Sequence, residues 1–403
     1  MKILHLNYSD HEGGASIAAY RIHKALLNKN FNSEMLVVKK HLNEKEIITR
    51  NRLINSFLSY TYDGLSRNII KLFDKKEYVS KSLSIFPTFI HKKINKINPD
   101  IVNIHWIGNS TISIEEISKI KAPILWTMHD MWPFCSIEHL SEENYFKYGY
   151  SDYSKKNFLF SNLKNYIWTK KKNCWNKKKI KIICTSEWMY RRVQDSSLFK
   201  KNKIAKIPIF LDKKVFLKKD ELISKKKLGI DNKKKIIGFI SQNILNPNKR
   251  FNFFYEAIKN LKKKYKNNFQ AVVLGDYNNL FKLDKELDIK IFNKNTNQEF
   301  LDNFYSSLDA LVVCSKIESF SQTSLEAQFY GVPTVSFNNL GLSEFINHKV
   351  NGFLSKDISP EGLCEGLEWI LKKDIKKENL RKQFDKLYNI EKYMNDYLNF
   401  IND

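Results

Sequence analysis

The chain has 403 residues, 68 Lys and Arg against 43 Asp and Glu, and a formal net charge of +25. That length is too great for one ordinary hydrophobic core and suits two domains of roughly 200 residues. A hydrophobic share of 42% with 13% aromatics excludes a disordered chain, and no apolar run approaches the ~18 residues that span a bilayer.

Taken in chain order, Lys2 to Asn7 reads as a first strand and turns polar too early for a secretory signal. A loop with Gly13 and Gly14 follows, and Ala15 to Leu27 carries Ile17, Ala18, Ile22, Ala25 and Leu26 on one helical face. Glu34 to Val38 is a second strand, and residues 40 to 98 read as mostly helical. Strands are predicted at Ile101 to His105, Ile124 to Met128, Ile180 to Cys184 and Ile204 to Ile207. The aromatic-rich stretch Asp130 to Lys179 reads as an insertion able to shape a pocket. A domain break is placed near Pro208 to Phe216. Beyond it the alternation restarts, with strands at Ile236 to Ile240, Ala271 to Leu274, Lys290 to Phe292, Ala310 to Cys314 and Thr334 to Phe337, then a final helix from Glu391 to Ile401. Alternating strand and helix in both halves predicts an α/β protein with parallel sheets and right-handed crossovers.

Lysine clusters such as Lys177-Lys178-Lys179 and Lys262-Lys263-Lys264 would attract nucleic acid or anionic lipid. No RNP, helix-turn-helix or zinc signature is present, so no nucleic-acid partner is expected. Two readings stay open for the charge: the residue bias of an AT-rich genome, and peripheral attraction to an anionic membrane. Cys135, Cys174, Cys184, Cys314 and Cys364 are scattered without a Cys-x-x-Cys pair, which points to reduced thiols and a cytoplasmic location, with the inner face of the cell membrane as the site of any lipid contact.

Glu318 and Glu326 stand out in the second half. They are separated by seven residues where the strand at Ala310 to Cys314 gives way to a helix whose buried face is Leu325 and Phe329. Ligands of open α/β sheets bind at the carboxyl ends of strands, where helix N-termini offer N–H groups to anions. Carboxylates there suit hydroxyls rather than phosphate, so the pair suggests a ligand carrying both phosphate and sugar alcohols. An ordinary solvated βα unit would show the same spacing.

This Glu-x7-Glu pattern, followed by Ala327 and Gly331-Val332-Pro333-Thr334-Val335, resembles glycosyltransferase family 4. So do the Gly13-Gly14-Ala15 loop, Asp100 to Trp106, Trp126-Thr127-Met128-His129-Asp130-Met131-Trp132-Pro133 and Cys184 to Trp188, in the expected order. The resemblance implies the GT-B fold, two Rossmann-like doubly wound domains facing across a cleft. The domains would be an acceptor domain at 1–212, a donor domain at 213–386 and a C-terminal helix at 387–403 returning to the first. It also implies retaining transfer of a sugar from a nucleotide-diphosphate donor to a saccharide or lipid-linked saccharide, in bacterial surface polysaccharide synthesis.

By the same resemblance Lys249 contacts the donor diphosphate. The family arginine some six residues earlier falls on Asn243, and the glycine after the lysine is Arg250, which either substitutes for the lost charge or is one more basic residue. The backbone around Phe320, Ser321 and Gln322 completes the anion site, Glu326 accepts the ribose hydroxyls and Glu318 faces the donor sugar. Gly13 and Gly14 leave room for phosphate or acceptor, or simply make a tight turn. His129 binds a sugar hydroxyl, stabilises charge or helps deprotonate an acceptor, unless it is a satisfied structural histidine. Trp106 stacks on a sugar or lies inside. Ser136 to Ser141 departs from related polysaccharide enzymes. No cofactor is expected, the nucleotide-diphosphate sugar being a co-substrate. No Asp-x-Asp or His/Cys cluster has metal-ligand spacing, so the expectation is metal-independent chemistry.

Overall fold

The computed structural model describes residues 1–49, 52–73, 80–151, 158–212, 215–266, 268–277, 283–338, 341, 343–373 and 375–403. They fall into two compact units, Met1–Phe210 with Glu391–Asp403, and Leu211–Ile390.

In the first unit the strands are β1 (Lys2–Ser9), β2 (Asn32–Lys39), β3 (Ile47–Thr49), β4 (Ile101–Ile104), β5 (Ile124–Met128), β6 (Ile180–Cys184) and β7 (Ile204–Lys206). Its helices are α1 (Gly14–Asn28), α2 (Arg52–Phe73), α3 (Ile90–Ile97), α4 (Ile114–Ser118), α5 (Tyr145–Tyr148), α6 (Phe158–Trp175) and α7 (Glu187–Asp195). The sheet order is β3-β2-β1-β4-β5-β6-β7, every pairing parallel. Strand order therefore reverses between β1 and β4, the switch point of a doubly wound sheet.

The second unit contains α8 (Glu221–Lys227), β8 (Lys235–Asn243), α9 (Phe251–Tyr265), β9 (Phe269–Asp276), β10 (Ile289–Phe292), α10 (Gln298–Ser307), β11 (Ala310–Val313), α11 (Gln322–Phe329), β12 (Thr334–Phe337), β13 (Gly352–Ser355), α12 (Pro360–Lys372) and α13 (Lys377–Leu387). Its parallel sheet runs β10-β9-β8-β11-β12-β13, with the switch between β8 and β11. The last helix, α14 (Ile390–Asn402), joins the first unit from Glu391 onward. There the Tyr397 hydroxyl accepts from Asn103 Nδ2 at 2.9 Å and its ring meets Phe210 edge-on.

Burial on both faces explains why the strands read as unbroken apolar runs: β4, β5, β11 and β12 are buried at every position. Two strands escape that signal. β3 is three residues long and pairs with β2 alone among the described strands, inside the stretch 40–98 expected to be helical. β13 is an edge strand that opens on Gly352, where a Cβ would lie 2.3 Å from the Thr334 carbonyl oxygen. β3 buries only Ile47, so little patterning marks it, while β13 is mostly buried but its Gly-Phe-Leu-Ser sequence is too short an apolar run to stand out.

The aromatic stretch after β5 packs inward. Trp126, Trp132 and Trp175 are buried in one core with Phe199. The fully buried Lys171 of α6 donates to the carbonyls of Trp132, Cys135 and Ser136 at 2.5, 3.1 and 2.7 Å, and its ammonium sits 3.5 Å from the Trp132 ring centroid. Three carbonyls satisfy its three donors, which is what lets a lysine lie in a core. Other aromatics of the stretch, Tyr148 and Tyr166, stay exposed.

Candidate functional site

In the second unit, chain reversal places the site. Because β8 and β11 are parallel neighbours, the loops leaving their carboxyl ends lie side by side. The first loop ends in a single 3₁₀ turn, Pro247–Lys249, capped by Asn246. Asn248 ties it to the second loop three times: its carbonyl accepts from the Lys316 amide at 2.7 Å, its side-chain oxygen from the Ile317 amide at 3.0 Å, and its Nδ2 donates to the Ile317 carbonyl at 2.9 Å. This clamp sets Lys249 Nζ 2.8 Å from Glu318 Oε2, both side chains partly buried. Two residues that the sequence separates by 69 positions meet as an ion pair.

Glu318 lies four residues before α11. Ser321 caps that helix, its hydroxyl accepting from the Ser324 amide at 3.2 Å. Phe320 is buried edge-on against Phe345, and Gln322 opens the helix. The loop is braced from outside by Gly341, whose amide donates to the Glu318 carbonyl at 3.1 Å and whose missing side chain matters, since a Cβ would fall 2.3 Å from the Ser319 carbonyl oxygen. Leu325 and Phe329 are buried as their spacing predicts. Glu326, on the part-buried face, accepts from the hydroxyl of Tyr305 at 2.7 Å, and Tyr305 stacks on Tyr330 with centroids 5.1 Å apart. Cys314, at the loop's start, is a buried free thiol pushed up to about 12, chiefly by desolvation.

Arg250 is placed differently from Lys249. It adopts a left-handed backbone (φ 51°, ψ 46°) at the entry to α9, the conformation in which glycine is the ordinary residue. Its guanidinium centre lies 5.0 Å from the Phe253 centroid and 5.8 Å from that of Phe337, a cation–π arrangement that ties α9 to β12. Asn243 is exposed, and its side-chain oxygen accepts from the Leu245 amide at 3.0 Å, shaping the turn.

In the first unit the loops after β1, β4 and β5 are neighbours for the same topological reason. Gly13 has φ 92° and ψ 161°, a region almost closed to residues with a Cβ, and its carbonyl accepts the Ile17 amide as α1 begins with Gly14. The turn reading is thus a physical demand whatever binds there. Half-buried His129 follows β5. Its Nε2 is 2.9 Å from Nδ1 of His105, whose Nε2 is 2.9 Å from Nδ1 of His5. Successive rings lie edge to edge and nearly coplanar, with centroids 5.2 Å apart and planes inclined by 25° and 27°. Burial lowers all three, His5 and His105 well below the ordinary histidine value and His129 to about 4. Beside them His139 Nδ1 meets Asp130 Oδ2 at 2.5 Å and its Nε2 meets Ser82 Oγ at 2.8 Å. Trp106 is partly buried; it packs edge-on against Tyr8 and over Gly108, where a Cβ would strike its ring, and its indole N–H donates to His139 Nδ1 at 3.0 Å. Among the described residues no group of three His, Cys, Asp or Glu side chains could hold a metal ion, and no helix is long and apolar enough to cross a membrane.

Asn248, Tyr305, His105 as a partner of His129, and Gly341 were not singled out as site residues from the sequence. Asn246-Pro247-Asn248 is a turn signal, but nothing local says which loop the turn will clasp.

Residues 220–386 match the family model described as "Glycosyl transferases group 1". A GDP-mannose-dependent alpha-mannosyltransferase of Corynebacterium glutamicum is 35% identical over 107 residues, 26% of this chain and 26% of that protein. The chain's matches span 26 to 38% of the length of its first curated relatives. Among solved structures, Alr3699/HepE of Anabaena in complex with UDP-glucose aligns over 100% of this chain and 99% of its own, with TM-score 0.68 and 15% identity. WaaG, a glycosyltransferase involved in lipopolysaccharide biosynthesis, aligns over 98% of both chains with TM-score 0.67 and 14% identity. The chain has the GT-B fold, two Rossmann-like units each with its own parallel sheet.

Proposed function

We propose that this protein is a retaining glycosyltransferase of the family 4 type. Its donor is a nucleotide-diphosphate sugar and its acceptor a saccharide or lipid-linked saccharide of a bacterial surface polysaccharide. The observation that carries the reading is the Lys249–Glu318 pair at the carboxyl ends of β8 and β11, beside the N-terminus of α11. Departure of a nucleoside diphosphate loads negative charge on the phosphates while the anomeric carbon becomes oxocarbenium-like. A cation and a carboxylate held together suit those two charges. Diphosphate draws Lys249 from Glu318, and the released carboxylate then faces the positive charge that develops on the sugar. Glu326, oriented by Tyr305, takes the ribose hydroxyls. In the first unit His129 serves a sugar hydroxyl. These roles for Lys249, Glu318, Glu326 and His129 follow the family resemblance; Arg250, laid on aromatic rings, contributes packing. The chemistry asks nothing of a metal ion in this scheme, because Lys249 and the helix amides carry the phosphate charge.

A panel of UDP-, GDP-, ADP- and dTDP-sugars tests the proposal by nucleotide release with and without saccharide acceptors, in chelator. Release from one donor, accelerated by an acceptor and unchanged by chelation, is the expected result. Tight binding of a nucleotide sugar with no turnover would make this a binding protein that kept the fold, the reading that the loss of the family arginine at Asn243 favours. Strict dependence on Mg²⁺ or Mn²⁺ would overturn the metal-free scheme.

A further inference from the structure

We propose that His105 and His5 are positioning residues for His129, acting as a hydrogen-bonded relay that holds it in the Nδ1–H tautomer and so presents a donor, not a base, at that nitrogen. A neutral imidazole has one N–H and one lone pair. His105 uses both ring nitrogens in this row, one toward His5 and one toward His129, so while neutral it must donate through one and accept through the other. The polarity of the row is therefore all or none. In one polarity His5 Nδ1–H donates to His105 Nε2 and His105 Nδ1–H donates to His129 Nε2, leaving His129 with its proton on Nδ1. In the other every proton moves to the opposite nitrogen.

The inner end decides between them. His5 is fully buried, and among the described residues its Nε2 has no hydrogen-bond partner. The second polarity would put an N–H on that atom, and orphaned buried donors are rare because nothing repays their lost hydration. The first leaves only a bare lone pair there. Burial keeps the row uncharged: desolvation lowers His5 and His105 well below the ordinary value, and His129 to about 4. A free histidine in water prefers its proton on Nε2, so the structure holds His129 in its minor form.

The catalytic meaning rests on the glycosyltransferase reading; the tautomer does not. With its proton on Nδ1, His129 donates to an oxygen of the sugar or leaving group and cannot take a proton from an acceptor through that atom. Spectra of protein labelled with ring-¹⁵N histidine test the first half, the His129 signal being assigned by its loss in His129→Asn. The expected wild-type result is a neutral Nδ1–H tautomer at His129 that reverts to Nε2–H in His105→Ala. It should survive in His105→Asn, whose amide can still donate to Nε2. An Nε2–H tautomer in wild type, or no change in folded His105→Ala, overturns the relay. Turnover tests the second half: kcat should fall at least tenfold in His105→Ala with KM little changed, and recover in His105→Asn. Equal kcat in all three overturns the catalytic role. Absence of turnover in wild type would count against the proposed function, while the spectra still decide the relay.

Discussion

The two units use one topology to build sites of opposite electrical character. In the second, neighbouring strand-end loops bring a lysine and a glutamate into a partly solvated ion pair. In the first, equivalent loops and the strand behind them bring three imidazoles into a buried row that stays neutral. Of the nine histidines, all but His348 lie in the first unit. The contrast teaches that a doubly wound switch point dictates where a site falls and leaves its chemistry to burial. Exposed ends keep charges, whereas buried rings must lose them.

Acid should separate the units most sharply. His5, His23, His105 and His129 all have folded values below the ordinary 6.5, with His23 and His129 at about 4. The folded state therefore binds fewer protons than the unfolded one. Stability is complete above pH 6.5 and is lost as pH falls toward 4, by about 3 kcal/mol from fully buried His23 alone. Hydrogen exchange followed by mass spectrometry from pH 7 to 4.5 should show β1, β4 and β5 losing protection before β8 and β11. The reverse order would break the comparison.

Next in size is Lys249→Ala. Nucleoside diphosphate should stabilise wild type against heat, and the variant should lose roughly 1.5–3 kcal/mol of that effect, the worth of a charge-assisted contact. Equal thermal shifts would remove Lys249 from the anion site. Glu318→Ala sharpens the point with a smaller effect of opposite sign. Freed of its competitor, Lys249 should bind nucleoside diphosphate tighter by roughly 0.5–1 kcal/mol, while turnover of the donor sugar falls. Calorimetry and a turnover assay read the two separately, and weaker nucleotide binding would show that the ion pair supports the site rather than restrains it. Smallest of all, Arg250→Gly trades a cation–π contact for relief of a left-handed backbone, two effects of about 1 kcal/mol and opposite sign. Its melting temperature and nucleotide affinity should match wild type; a clear loss of affinity would restore Arg250 to the binding site.

Local pattern carried much of this protein. Strands buried on both faces read as apolar runs, so Ile124 to Met128, Ile180 to Cys184 and Thr334 to Phe337 were legible to the residue, and the alternation with helices implied two parallel sheets. The Glu318 loop and the buried Leu325–Phe329 face were legible too, because a strand end and a helix start are near in sequence. What tertiary structure alone decided are the meetings between distant segments. Lys249 reaches Glu318 across 69 residues because β8 and β11 are neighbours. His5 and His105 are 100 residues apart, and only the order β1-β4-β5 sets them in line with His129. Lys171, one of many lysines by sequence, becomes a core residue because three carbonyls converge on it. The physical reason is common to all three. Periodicity reports which face of an element avoids water, whereas the partner of a polar group is set by which strands pair, and that is a property of the whole packed sheet.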